Sequence, residues 1–280
     1  KASQVGALFL KITPDDANIA IDKANYKFQS GFLRSGTLIT NLFPKIYSVK
    51  VSKEGYQSWA KQLAVKPSLV TEAPTIILLP EKFKLSSTTP KELADFKIRE
   101  KTFASMKKIR ISKFNLENPE IKNNFETIRD IQFSESGEII SFLNTQNYLY
   151  LLNKNSADNK LISKNAVVAY FSPDSKKIAF LNTDQELIIY PLSPNPNNDW
   201  QSQKSVFRLE TIDPEQISWH KNSEYLFIKY PSDLYLLETS NLPPINLQII
   251  DSGNDKYSYS SQENSIYLLK NQNLYKLIFD

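Results

Sequence analysis

The side chains in this chain that could do chemistry are few, and their spacing argues against most reactions. His220 is the single imidazole available to a metal or an acid–base cycle. It has no second ligand at metal spacing and no activated serine to serve, so it reads as an ordinary turn residue. Two Ser-x-x-Lys tetrads, Ser58–Lys61 and Ser105–Lys108, pair a hydroxyl with an amine as a serine acyl-enzyme would. Neither has the companion motifs that such a site requires. Asn195-Pro-Asn-Asn-Asp199 offers oxygens of the kind calcium takes, but clusters of this composition are ordinarily turns. No phosphate loop, dinucleotide fingerprint or EF-hand loop is present. Paired carboxylates for glycoside hydrolysis depend on placement in the fold, which spacing along the chain does not give. Tyr56 and Trp59 could present flat rings to a sugar or a partner, but Trp59 reads better as a core residue beside a tight turn at Gly55. The expectation is therefore no catalytic residue, no metal ligand and no cofactor, with the ligand-binding residues unknown.

The elements that would position any site are short strands. In the second half an aromatic residue leads a polar turn four times: Phe133-Ser-Glu-Ser-Gly137, Phe171-Ser-Pro-Asp-Ser175, Trp219-His-Lys-Asn-Ser223 and Tyr259-Ser-Ser-Gln-Glu263. The aromatics are 38, 48 and 40 residues apart, and two apolar runs follow each turn. A period near 40 built of short strands is that of propeller blades. Phe171 and Trp219 are expected to be buried between blades. Fourth strands are read at Lys160–Ser163, Val206–Glu210 and Asn246–Ile250. The last repeat has none, and Lys108–Ser112 is the candidate to close the ring beside Leu274–Phe279, hiding an open edge. Otherwise the chain is an open arc of a larger propeller.

Composition agrees with an all-β chain. The 41% apolar content excludes disorder, and Tyr and Phe, which supply most of the aromatics, suit half-buried strands. A net charge of +4, from 34 basic and 30 acidic residues interspersed along the chain, is too weak for a nucleic-acid binder. The densest basic cluster, Lys107, Lys108, Arg110 and Lys113, reads as a solvated strand edge. The absence of cysteine excludes disulfides and thiolate chemistry, and no run approaches the length of a membrane span.

In residues 6–80, Leu8, Leu10 and Ile12 share one face, as do Tyr47, Val49 and Val51, with Trp59, Leu63, Val65 and the run Ile76–Leu79 following. Six or seven strands without a helix make a small β-sandwich. Gly6-Ala-Leu-Phe-Leu-Lys-Ile-Thr-Pro14, Ala17–Asp22, Asn41-Leu-Phe-Pro44, Tyr47–Val51 and Lys53-Glu-Gly-Tyr-Gln-Ser-Trp59 resemble a PEGA domain. Lys23 and Lys45 stand where that family usually has turn glycines, so those turns are expected to have changed type. The division expected is 1–80 sandwich, 81–105 linker with a short helix from Thr89-Pro-Lys-Glu92, and 106–280 propeller. A polar linker of this kind predicts two units that melt separately.

The repeats over 126–280 are similar to WD40-like blades of the TolB type, Phe171-Ser-Pro-Asp-Ser175 most closely. These resemblances imply a non-enzymatic binding or scaffolding protein of a bacterial or archaeal cell envelope. Its partner would be a protein or an envelope polymer, and it would be extracytoplasmic, with a membrane-spanning tether upstream of residue 1. The alternatives are an envelope hydrolase with acids at the propeller mouth, and a carbohydrate-binding module.

Overall fold

Period-two alternation in the N-terminal third produces strands with one apolar face each. The structure, a computed structural model, describes residues 4–27, 36–83, 86–88, 127–153, 159–192, 204–209 and 214–279. Its first strands are β1 (Gly6–Thr13), β2 (Asn18–Ile21), β3 (Ala24–Lys27), β4 (Thr37–Leu42), β5 (Lys45–Ser52), β6 (Trp59–Val65) and β7 (Val70–Ile77). One sheet runs β4-β1-β7, with β7 parallel to β1; the other runs β3-β2-β5-β6 and is antiparallel throughout. Leu8, Leu10 and Ile12 meet Ile19, Ile21, Val49, Val51, Trp59 and Leu63 in one core, as the alternation required. Gly6 permits the close approach of β1 to the turn before β7, because a Cβ there would sit 2.3 Å from the Lys66 carbonyl oxygen. In the glycine-free turn after β2, Asp22 takes the left-handed conformation (φ 51°), and its carboxylate bonds the Lys45 ammonium at 2.6 Å.

A two-residue strand, β8 (Ser86–Ser87), precedes four sheets of four antiparallel strands. The first blade is β9 (Ile128–Phe133), β10 (Ile139–Asn144), β11 (Leu149–Asn153) and β12 (Asn159–Ser163). The second is β13 (Ala166–Phe171), β14 (Lys177–Asn182), β15 (Glu186–Pro191) and β16 (Ser205–Arg208). The third is β17 (Gln216–Trp219), β18 (Tyr225–Lys229), β19 (Asp233–Glu238) and β20 (Leu247–Ser252). The fourth is β21 (Lys256–Ser260), β22 (Ser265–Lys270) and β23 (Asn273–Ile278), completed by β8. The fold is thus all-β, a sandwich joined to a β-propeller, and the described residues contain no α-helix. Strands β14 and β18 are buried along their whole length because a neighbouring blade covers each face, which explains their unbroken apolar runs.

The repeat turns tie blade to blade. Gly137, Ser175 and Ser223 occupy equivalent left-handed positions (φ 71°, 59° and 61°). Serine is less suited than glycine to this conformation, but its hydroxyl gives something back. Ser175 Oγ accepts the Glu135 N–H at 2.9 Å, and Ser223 Oγ accepts the Asp174 N–H at 3.0 Å. Each bond joins one blade's turn to the preceding blade's turn.

Three expectations need correction. The edge of β23, for which Lys108–Ser112 was the expected cover, is covered at Lys276 and Tyr275 by Ser86–Ser87. Thr88 adds a hydroxyl bond to the Leu274 carbonyl at 3.0 Å, so the closing strand lies directly after the sandwich. Phe171 is only half-buried: it ends β13 and packs from the outside against the core that the first two blades share. Trp219 is buried, and its indole N–H donates to the Tyr170 carbonyl across the blade interface at 3.0 Å. Finally, the two units share residues. Along Ile76–Leu79, Ile76 and Leu78 enter the sandwich core, while Ile77 and Leu79 pack in the propeller core. The helix expected from Thr89, the basic cluster Lys107–Lys113, Lys108–Ser112 itself, the Ser105 tetrad and Asn195–Asp199 all lie outside the described residues.

This sharing predicts one cooperative transition. Leu79→Ala should cost about 2–5 kcal/mol. Hydrogen exchange in urea should then show β5 and β18 amides losing protection at the same, lowered denaturant concentration.

Candidate functional site

Alternation on β6 places Trp59, Lys61, Leu63 and Val65 on the inward face, which puts a lysine where a hydrophobe would be expected. Lys61 is fully buried, and its ammonium lies 2.9 Å from Glu238 Oε2 on β19, a side chain only 8% exposed. The same oxygen accepts the Trp59 indole N–H at 2.9 Å and the Asn246 amide at 2.7 Å. Lys61 also donates to the Ser240 carbonyl at 3.2 Å. Burial pushes the Lys61 pKa down, and the neighbouring Glu238 carboxylate opposes that shift. A second pair sits alongside: Lys177 bonds Glu224 at 2.7 Å and the Ser223 carbonyl at 3.1 Å, and burial raises the Glu224 pKa. Two carboxylates thus come together beside β18 and β19, each committed to an ammonium from another element.

Backbone groups complete the junction. Asn246 exchanges both bonds with Ala60, accepting its N–H at 3.2 Å and donating to its carbonyl at 2.9 Å. Gln248 does the same for the segment after β7, accepting Leu79 N–H and donating to the Ile77 carbonyl, each at 3.1 Å. Tyr225 hydroxyl accepts the Ile77 N–H at 3.2 Å. Every group here is paired, so the junction can be dry.

Holding the sandwich this way fixes the facing of β20. Asn246 and Gln248 point inward, so Ile245, Leu247 and Ile249 point outward, 54%, 51% and 41% exposed. Over 245–249 the polarity is inverted, with amides inside and aliphatic side chains in water; it returns to the ordinary sense at Ile250, which is buried in the propeller core. β20 is the edge of its sheet. Equivalent outer-strand positions in the first two blades, Leu161 opposite Tyr150 and Val206 opposite Ile188, match Ile249 opposite Tyr235 and are also partly exposed. Sequence reasoning found these strands but not their facing. The one available signal was Lys61 in an inward register.

The residues singled out by type are dispersed. Ser58 is exposed while Lys61 is buried on Glu238, so that tetrad brings no hydroxyl to an amine. Trp59 is in the core and Tyr56 is half-buried against it, so the pair forms no exposed platform. His220 keeps its place in the repeat turn but is buried, stacked on Tyr259 with centroids 5.3 Å apart and edged by Phe227 and Phe279. Its Nδ1 accepts the Asn222 N–H at 3.3 Å, leaving Nε2 to donate to Asn264 Oδ1 at 3.2 Å. Burial lowers its pKa. Among the described residues no three His, Asp or Glu side chains gather closely enough to hold a metal ion, and no helix is long and apolar enough to cross a membrane.

No family model matches the chain, and no curated protein matches it. Among solved structures, the β-propeller domain of Swd1 from Myceliophteria thermophila aligns over 85% of this chain and 66% of its own, at 11% identity and TM-score 0.40. KlHsv2 carrying a Gly-Ser linker in place of one loop aligns over 51% of this chain and 45% of its own, at 13% identity and TM-score 0.35. The chain therefore spans less than two thirds of either.

Two measurements test the site. Glu238→Gln leaves the Lys61 ammonium buried without a counter-charge and should cost about 3–5 kcal/mol in urea unfolding. Adding Lys61→Met should recover most of that loss, because the glutamine still accepts from Trp59 and Asn246. For His220, the unfolded chain takes up a proton near pH 6.5 that the folded chain resists. Stability is therefore full above that pH and falls as pH drops through the lower folded-state pKa. The urea midpoint should decline between pH 7.5 and 5.5 (about one unit either side of an ordinary imidazole), and His220→Gln should flatten that decline.

Proposed function

We propose that this chain is a non-enzymatic scaffolding module whose third blade binds a protein partner along β20. The observation that carries the reading is the inverted polarity over 245–249, at the start of that strand. Ile245, Leu247 and Ile249 form a contiguous aliphatic stripe on a sheet edge, held rigid by Asn246 and Gln248 behind it. Stripes of this kind on edge strands accept an extended segment, with main-chain bonds supplying affinity and side-chain contacts supplying choice. The commitment of Glu224 and Glu238 to lysines favours binding over hydrolysis. The resemblance of Gly6–Pro14 and Lys53–Trp59 to a PEGA domain, and of the repeats to TolB-type blades, supports placing the module outside the cytoplasm, in a cell envelope, behind a membrane tether.

The test is a photo-crosslinking amino acid at Leu247, compared with one at the exposed Lys50 of the sandwich. In native cells Leu247 should capture one defined protein that Lys50 does not, and Ile249→Glu should abolish the capture while shifting stability by less than about 0.5 kcal/mol. Equal capture at both positions would overturn the reading. So would a Leu247 product that forms from the purified chain alone, which would assign the stripe to a second copy.

A further inference from the structure

The end of the sandwich farthest from the propeller has an unusual surface. Three connections converge there: the turn 22–23 after β2, the turn 43–44 with the first residues of β5, and the turn 66–69 with the first residue of β7. Register places them together, since Gly6 pairs with Leu42, Ala7 pairs with Val70, and Lys45 pairs with Val65. Their exposed apolar side chains are Ile46 (64%), Phe43 (61%), Leu69 (51%) and Val70 (43%). The first two are the most exposed large hydrophobic side chains among the described residues. Lys23, Lys45 and Lys66 lie in the same segments, and the acids beside them are Asp22, which bonds Lys45, and the exposed Glu72, two residues after Val70.

The junction runs from the opposite end of the same strands as far as Gln62, whose N–H donates to the Pro243 carbonyl at 2.8 Å. Ser48 pairs with Gln62 where Lys45 pairs with Val65, a separation of about 10 Å at the rise of a strand. Burial at this tip therefore contributes nothing to holding the propeller. Phe43 and Leu69 stand on turns, with Ile46 and Val70 on the strand ends beside them, and such an exposed apolar surface suits a soft, deformable apolar medium better than a rigid pocket. The excess of ammonium groups selects the sign of that medium.

We infer that this tip docks on an anionic lipid surface, with Phe43, Ile46 and Leu69 entering the headgroup–acyl boundary and the lysines meeting lipid phosphates. Such contact combines buried apolar area with attraction to anionic headgroups, and it weakens with salt. The propeller and its β20 stripe would then stand off the surface, at the far end of the sandwich. The inference does not depend on the β20 reading, because it concerns the opposite end of the molecule and is tested without any partner.

The purified 280-residue chain is mixed with vesicles of phosphatidylcholine alone, or of phosphatidylcholine with about one third phosphatidylserine. Co-sedimentation should occur with the mixed vesicles, fall with added salt and be at least about tenfold weaker without phosphatidylserine. Phe43→Ser with Leu69→Ser, and separately Lys23→Glu with Lys66→Glu, should each reduce binding about tenfold or more while leaving the urea midpoint in place. The indole fluorescence of a Phe43→Trp variant should be quenched by brominated acyl chains in the mixed vesicles, which reports insertion directly. Absence of binding to the mixed vesicles would overturn the inference. Undiminished binding by the double-serine variant, or no bromine quenching of the Phe43→Trp variant, would do the same. Reversible self-association that the double-serine variant abolishes, without vesicle binding, would assign the tip to a second copy instead.

Discussion

Glu238 Oε2 accepts a hydrogen bond from an indole, an ammonium and a carboxamide, which come from two strands of different units. Taking that carboxylate and the Lys61 ammonium out of water is costly, and their mutual attraction offsets the cost only with near-ideal geometry and the remaining donors in place. Those conditions are stringent, so the arrangement discriminates. Trp59, Lys61 and Asn246 must all arrive in register, which ties the packing of β6 to the facing of β20 and fixes the sandwich on the third blade. An apolar junction of equal area would hold the units together but would tolerate sliding. The charged one is directional, and the Lys177–Glu224 pair continues it into the second blade.

The segment Ile76–Leu79 works on the same boundary by a simpler rule. Side chains of an extended segment alternate, so consecutive residues can serve two cores. Leu78 N–H bonds the Thr13 carbonyl at 2.8 Å on the sandwich side, while Ile77 and Leu79 turn their backbone groups to Tyr225 and Gln248. Only a few residues later Ser86–Ser87 complete the fourth blade. A chain leaving the sandwich is thus captured twice within a dozen residues by the propeller. The sandwich is a structural extension of the propeller, and a load or contact at its far tip is transmitted through strands rather than through a flexible linker.

Much of the architecture was legible before any coordinates. The spacing of Phe133, Phe171, Trp219 and Tyr259 located all four repeat turns, and the apolar runs located the inner strands of each blade. Fourth strands at Lys160–Ser163, Val206–Glu210 and Asn246–Ile250 fall where β12, β16 and β20 lie. What failed was choosing among alternatives of similar local quality. Lys108-Ile-Arg-Ile-Ser112 alternates like a strand, whereas Ser86–Ser87 carries almost no strand signal, yet Ser86–Ser87 covers the edge of β23 because the end of the sandwich delivers it there. Phe171 and Trp219 lead equivalent turns but differ in burial, because size and a cross-blade hydrogen bond distinguish them.

The candidate site was hidden for a deeper reason. A period of two says that alternate residues share a face; it does not say which face is inside. For Ile245-Asn-Leu-Gln-Ile249 the apolar set would ordinarily be placed in the core, and the tertiary structure does the reverse. It can do so because Asn246 and Gln248 find backbone partners on the sandwich that water would otherwise supply. The amino-acid sequence by itself determined that this is an all-β chain with strands recurring about every 40 residues and hydrophobic faces of fixed width. Which face of β20 meets solvent, which strand closes the last blade and which lysine is buried were decided only by long-range hydrogen bonds, between residues up to 192 positions apart, and no local pattern encodes those.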